Sequence, residues 1–164
     1  MISAAQVIFA NDRRDACLDW LSAELPRRVP FPCSRTQWRG RTITIPQILV
    51  ATSPVQLTIQ VEDSSDYVPE EIVELAEDAR SHIDESVYAR LRRCNARLDL
   101  MSTTPPRRTE SSEAITIIAE TDLDPAYPDV EQVLAALSDL TGGFVLDCVN
   151  ARLRIPNNAE WISL

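Results

Sequence analysis

The chain has 164 residues, 45% of them hydrophobic and 25% charged. That is the make-up of one ordinary globular domain and excludes wholesale disorder. Its 25 acidic and 16 basic side chains give a net charge of −9, a field that repels nucleic acid and anionic membrane surfaces at long range. With 1 histidine and 3 glycines, a multi-histidine metal centre and a glycine-rich nucleotide loop are both excluded.

No apolar run approaches the ~20 residues of a membrane span. Residues 1–6 lack the basic n-region of a signal peptide, so a cytoplasmic location is expected. The four cysteines, Cys17, Cys33, Cys94 and Cys148, form no C-x-x-C pair and are expected to be buried free thiols. Every basic side chain is arginine, and lysine is absent; this favours bidentate pairing wherever an arginine meets an acid.

Residues 5–10 read as a short buried strand, after which Asn11 and Asp12 can cap a helix. Ala16, Trp20 and Leu21 fall at helical spacing within residues 13–25, and Pro26 ends the run. Residues 41–50 alternate as a strand interrupted at Pro46. Beyond the turn at Ser53 and Pro54, Val55, Leu57, Ile59 and Val61 share one face and Gln56, Thr58, Gln60 and Glu62 the other. That pattern predicts a half-exposed strand and a hairpin.

Pro69 suits a first helical turn, with Glu70 and Glu71 at the positive dipole end and Arg90, Arg92 and Arg93 at the negative end. Ile72, Ala76, Ala79, Ile83, Val87 and Leu91 step by three or four, predicting one long helix. Residues 97–101 read as a strand, 103–112 as an exposed loop and 114–121 as another strand. A further helix follows over 129–140, with Gly142 at its left-handed C-cap. Residues 144–146 and 153–155 are expected to close as a hairpin.

The resulting order is β-α-β-β-α-β followed by β-α-β-β. Its first six elements match the ferredoxin-like pattern. The expected architecture is a single α+β domain over residues 1–164, with 103–112 as the one place for a subdivision. A mixed or antiparallel sheet would carry helices on one face.

Chemistry-bearing groups are few. Glu120, Asp122 and Asp124 stand at a strand end, where carboxylates suit a divalent metal, although a solvated turn leading into a helix is the preferred account of them. His82 has Asp78, Glu85 and Ser86 within helical reach but no nucleophile beside it, and reads as a solvent-edge histidine. Arg35, Arg39 and Arg41 flank Trp38 in a manner suited to RNA, yet the acidic chain around them favours internal pairing. No catalytic residue, metal or cofactor is assigned.

Charge segregation is the most informative pattern. Residues 62–85 carry 10 acids and a single base, Arg80; residues 120–147 carry 7 acids and no base; residues 90–108 carry 6 arginines against Asp99. Two acidic tracts on one small domain suit a basic protein partner. Asp63, Asp66, Glu70, Glu71, Glu74, Glu77 and Asp78 form one candidate contact group. Asp122, Asp124, Asp129 and Glu131 form the other.

In size, acidity, lack of catalytic motifs and α+β order the chain resembles the small acidic immunity proteins of bacterial polymorphic toxin systems. The closing segment 134–147, in which a helix turns through Gly142 and Gly143 into Phe144, Val145 and Leu146, shares that resemblance. It implies a protein that binds one cognate toxin and covers its active site. The alternatives are a metal-dependent enzyme using Glu120, Asp122 and Asp124, or a small-ligand-binding regulatory module. An exposed sheet edge would also suit a homodimer.

Overall fold

The computed structural model describes residues 3–11, 18–62, 67–103, 107–108, 114–115 and 123–164. Asp12, Cys17 and positions 116–121 of the expected strand lie outside them. The strands are β1 (Ala5–Phe9), β2 (Cys33–Arg39), β3 (Thr44–Val50), β4 (Gln56–Glu62), β5 (Ala96–Thr103), the two-residue β6 (Arg107–Arg108) and β7 (Ala114–Ile115), then β8 (Phe144–Asp147), β9 (Arg152–Arg154) and β10 (Trp161–Ser163). The helices are α1 (Leu18–Glu24), α2 (Val68–Ala79), α3 (Glu85–Arg92) and α4 (Pro128–Thr141).

Eight strands form one sheet in the order β10-β9-β8-β1-β5-β4-β3-β2, and β6 pairs with β7 separately. Every neighbouring pair is antiparallel. The protein is therefore α+β with an antiparallel sheet, as the element pattern indicates. A ferredoxin-like sheet would set the strand at 55–62 directly beside the strand at 5–10. Instead β5 lies between β4 and β1, and β8 holds the other side of β1. The hairpins expected at 41–62 and 144–155 form, as β3–β4 and β8–β9.

The expectation of helices on one face is corrected. Along β1, Ala5, Val7 and Phe9 belong to one buried cluster, together with Leu21 of α1 and Val130, Leu134 and Leu137 of α4. Ile8, on the opposite face, belongs to a second cluster with Ile72, Ala76 and Ala79 of α2, Leu91 of α3 and Phe144 of β8. Alternating residues of a strand point to opposite faces, so a strand apolar at consecutive positions needs cover on both sides.

The long helix expected over 69–93 is broken in two. Residues 80–82 tighten into a 3₁₀ turn and Ile83 is extended. Asp84 then starts α3, its Oδ1 accepting a hydrogen bond from the Val87 N–H at 2.8 Å. An aspartate with this local bond competes with continuation of a helix and favours a new start. The apolar stripe survives the break, since Ile83 and Val87 still pack against the second cluster. His82 is exposed in the connecting turn, and no hydrogen bond or ion pair joins it to Asp78 or Glu85.

β2 and β10 complete the sheet at its two edges and were not legible as alternating runs. β2 joins β3 over seven residue pairs, from Cys33↔Val50 to Arg39↔Thr44. Gly40 closes the hairpin: a Cβ there would stand 2.8 Å from the Trp38 ring. The β3–β4 ladder stops at Ile48↔Ile59, before Pro46, which has no N–H to donate. At the other edge the Trp161 ring of β10 lies 4.6 Å from the Arg152 guanidinium and 4.9 Å from that of Arg154.

Gly142 ends α4 at φ 67°, the left-handed cap expected from the sequence. Gly143 has a different task. A Cβ there would stand 2.8 Å from the Ile8 carbonyl oxygen, so only glycine lets β8 enter beside β1.

One acid of the 120–147 tract is wholly internal. Asp147, with no exposed side-chain surface, accepts from the Val149 and Asn150 N–H groups at 3.0 Å each, from Asn150 Nδ2 at 2.9 Å and from Arg152 at 2.7 Å. Burial pushes its carboxyl up, but the bonds from Asn150 and Arg152 outweigh it and hold the carboxyl below its ordinary 3.8. A depressed folded-state value contributes stability above about pH 4, and that contribution is lost as pH falls through the folded value. Asp147→Ala is expected to cost about 3 kcal/mol at neutral pH and to flatten the acid limb of the stability curve. Urea unfolding at pH 7 and at acid pH measures both. A neutral-pH loss under about 1 kcal/mol would show that the turn holds without this carboxylate.

Candidate functional site

α2 carries five of the acids singled out from the sequence, and the structure divides them. Glu71 and Glu77 are tied down. Glu71 pairs with Arg97 of β5. Glu77 accepts a hydrogen bond from the Tyr88 hydroxyl and stands 3.5 Å from Arg80. The Tyr88 bond, reinforced by Arg80, holds the Glu77 carboxyl below its usual range, and the same bond pushes the Tyr88 phenol up.

Glu70, Glu74 and Asp78 are exposed and have no cationic partner among the described residues. At four-residue spacing they stack one turn apart along a single face of the helix. The opposite face, Ile72, Ala76 and Ala79, is fixed in the core. The result is a stripe of three free carboxylates on a rigid support.

The second group does not form such a surface. Asp124 is exposed, and its Oδ1 accepts from the Ala126 N–H at 2.8 Å within a turn. Asp129 Oδ2 accepts from the Ser53 N–H at 2.8 Å and ties the start of α4 to the β3–β4 turn. Glu131 pairs with Arg154. α4 packs with the first cluster and α2 with the second, so Asp129 and Glu131 stand on the opposite face of the sheet from the acids of α2. Asp63, Asp66, Asp122 and Glu120 lie outside the described residues.

Beneath the N-terminal end of α2 lies a polar strip that sequence reasoning missed. Thr58 and Gln60, expected on an exposed strand face, are buried together with Gln47 and Asp99. Gln47 Nε2 donates to Gln60 Oε1 at 3.1 Å. The Arg97 Nε donates to Asp99 Oδ1 at 3.0 Å. The β4–β5 register explains it: Gln60 faces Asp99 and Glu62 faces Arg97, a pairing that neither strand's sequence shows alone. Polar residues opposite one another on neighbouring strands mark a paired interior face as readily as a wet one.

Arg97 is the centre of this strip. Its side chain is 14% exposed and that of Asp99 10%. Burial opposes the charge on Arg97, but Asp99 and Glu71 outweigh burial and keep the guanidinium protonated. For Asp99 the balance goes the other way: burial raises its carboxyl more than Arg97 lowers it. The guanidinium also lies 5.9 Å from the Tyr67 ring. The Tyr67 phenol bonds to Glu62, and that bond, followed by desolvation, pushes it up to about 12. α2 is thus moored to the sheet at its N-terminal end by two polar links.

Of the remaining candidates, Arg35 pairs with Asp19 at 2.6 Å, the internal partner expected for it. Arg39 and Arg41 have no carboxylate partner among the described residues. Cys94 is buried, Cys33 half-buried and Cys148 exposed, so the expectation of buried thiols fails at Cys148. Desolvation nevertheless pushes the Cys148 thiol up to about 11, against a hydrogen bond with Ser3 that lowers it. Among the described residues no group of three or more His, Cys, Asp or Glu side chains is placed to hold a metal ion. Likewise no helix is long and apolar enough to cross a membrane.

No family model matches the chain, and neither the curated proteins nor the solved structures contain a match.

Arg97→Met would leave Asp99 buried without its cation. The expected cost at pH 7 is about 3 kcal/mol. Because the raised Asp99 value would rise further, stability would also fall more steeply as pH increases from about 4 towards neutrality. Chemical denaturation at several pH values reads both effects. A variant as stable as the parent at pH 7 would contradict the central place given to Arg97.

Proposed function

We propose that the protein is a protein-binding inhibitor of the immunity type, which neutralises a cognate toxin by covering a basic, substrate-binding surface with its acidic face. The observation that carries this reading is the stripe of Glu70, Glu74 and Asp78. Like charges four residues apart on a helix disfavour it by a few tenths of a kcal/mol per pair. Every other described acid of α2 has a partner within the fold. Three carboxylates left unpaired on the outer face are a cost to the isolated domain that a cationic partner removes.

The rigid mounting of the stripe supports the same reading. α2 is packed into the core along its inner face and moored by Glu71 and Arg97, so its charges are held ready for docking with little further ordering. Complementary charge of this kind speeds encounter and selects the partner. The contact surface is centred on α2, while Asp129 and Glu131 serve the fold.

Affinity capture of the tagged chain from its native host, with mass spectrometry of the co-purified material, tests the proposal. The expected result is a stoichiometric basic protein whose association slows at least tenfold between low and moderate salt. The triple variant Glu70→Arg, Glu74→Arg, Asp78→Arg should lose that partner and stay folded, its melting temperature lowered by only a few degrees as Glu70 leaves the helix N-terminus. Capture that survives the triple reversal would overturn the α2 surface.

A further inference from the structure

A second concave feature stands apart from α2. Between the C-terminal ends of α3 and α4, where β1 stops and β8 begins, lies a cavity of about 490 Å³. Among the described residues its lining includes Arg90, Arg93, Cys94, Thr141, Gly142 and Phe144, and no carboxylate. The volume falls within the usual range of small-molecule sites.

What sets the site apart is two guanidiniums lining one cavity. Arg97, Arg152 and Arg154 each meet an acid. Arg90 and Arg93 are exposed, one turn apart, and neither pairs with a carboxylate among the described residues. This is in a chain where acids outnumber bases by 25 to 16.

Their service to the helix ends does not account for both charges. Each helix C-terminus carries roughly half a negative charge, so two ends amount to about one. Two arginines exceed that by about one positive charge, and a cleft concentrates the resulting field. Thr141 is already engaged, its Oγ1 donating to the Leu137 carbonyl at 2.7 Å. Charged recognition therefore falls to the arginines, whose planar forks match carboxylate and phosphate oxygens. Phe144 closes the floor as a core side chain, 2% exposed, with the Arg90 guanidinium 5.8 Å from its ring centroid.

We propose that this cavity binds a small organic anion, a carboxylate or phosphate group carried on a body that fills the rest of the volume. The head lies against Arg90 and Arg93, and the body occupies the remaining space between the ends of α3 and α4. This assignment is independent of the acidic stripe on α2 and stands or falls separately.

Isothermal titration of the full chain tests it, with phenyl phosphate and benzoate as probes and inorganic phosphate and benzyl alcohol as the separated head and body. Saturable one-to-one binding of an aryl anion, at least tenfold tighter than either part alone, is expected. A preference between the two aryl anions assigns the head group. Arg90→Gln and Arg93→Gln should each weaken that binding about tenfold, the worth of one charge-assisted hydrogen bond, with unchanged melting temperatures. Should either glutamine variant prove unstable, Arg93→Lys, which keeps the charge but loses the fork, should fold and still bind more weakly. Absence of saturable heat from both aryl anions up to about 10 mM, or binding indifferent to both arginine variants, would overturn the proposal.

Discussion

A five-residue strand with Val7 and Phe9 on one face and Ile8 on the other must be covered twice. β1 meets that demand only at the centre of a sheet with helices on both sides. Its neighbours follow the same rule: Val7 is flanked by Leu98 and Val145, and Ile8 has Phe144 beside it. α1 and α4 then close one face and α2 and α3 the other. The tight entry of β8 depends on the same strand, because Gly143 stands against the Ile8 carbonyl. Any residue with a side chain at that position would force the two central strands apart.

Charge is distributed with similar economy around this frame. An arginine-only basic complement places planar forks where the fold needs ties: Arg97 between Asp99 and Glu71, Arg152 on Asp147, Arg154 on Glu131. Arg152 and Arg154 also flank Trp161 and hold the last strand. What remains outside these ties is segregated. Three free carboxylates line the outer face of α2, and two free guanidiniums stand at the end of α3 beside a cavity. A molecule of net charge −9 thus keeps a local cationic pocket, and the two proposed binding functions draw on opposite charges.

Much of this was legible from residue spacing. The period-two run through Val55, Leu57, Ile59 and Val61 gave β4, and the stepping of Val130, Val133, Leu134 and Leu137 with Gly142 beyond gave α4 and its cap. Three features were not legible, each for a physical reason. β2 alternates only weakly and is an edge strand held by one neighbour, so its sequence is under little pressure to be apolar. The break at Ile83 left the helical stripe intact, because both halves pack against the same cluster. Thr58 and Gln60 looked wet because polar residues usually are, and nothing in one strand's sequence announces that Gln47 and Asp99 lie beside it. In the site, the acidic character of α2 was plain from sequence, but which carboxylates are free depended on Arg97, Tyr88 and Arg80, which only the fold brings near.

The placement of β1 also bears on the order in which the chain is made. β2 through β5 form one run of neighbouring strands and β8 through β10 another, and β1 is the strand that joins them. It is made before both of its neighbours, and its partners are some ninety and nearly one hundred and forty residues downstream. Until residues 144–147 emerge, the N-terminal strand has at most one side of its ladder. β1 therefore waits, apolar and half-paired, until the 144–147 segment has been made, and the sheet closes only then.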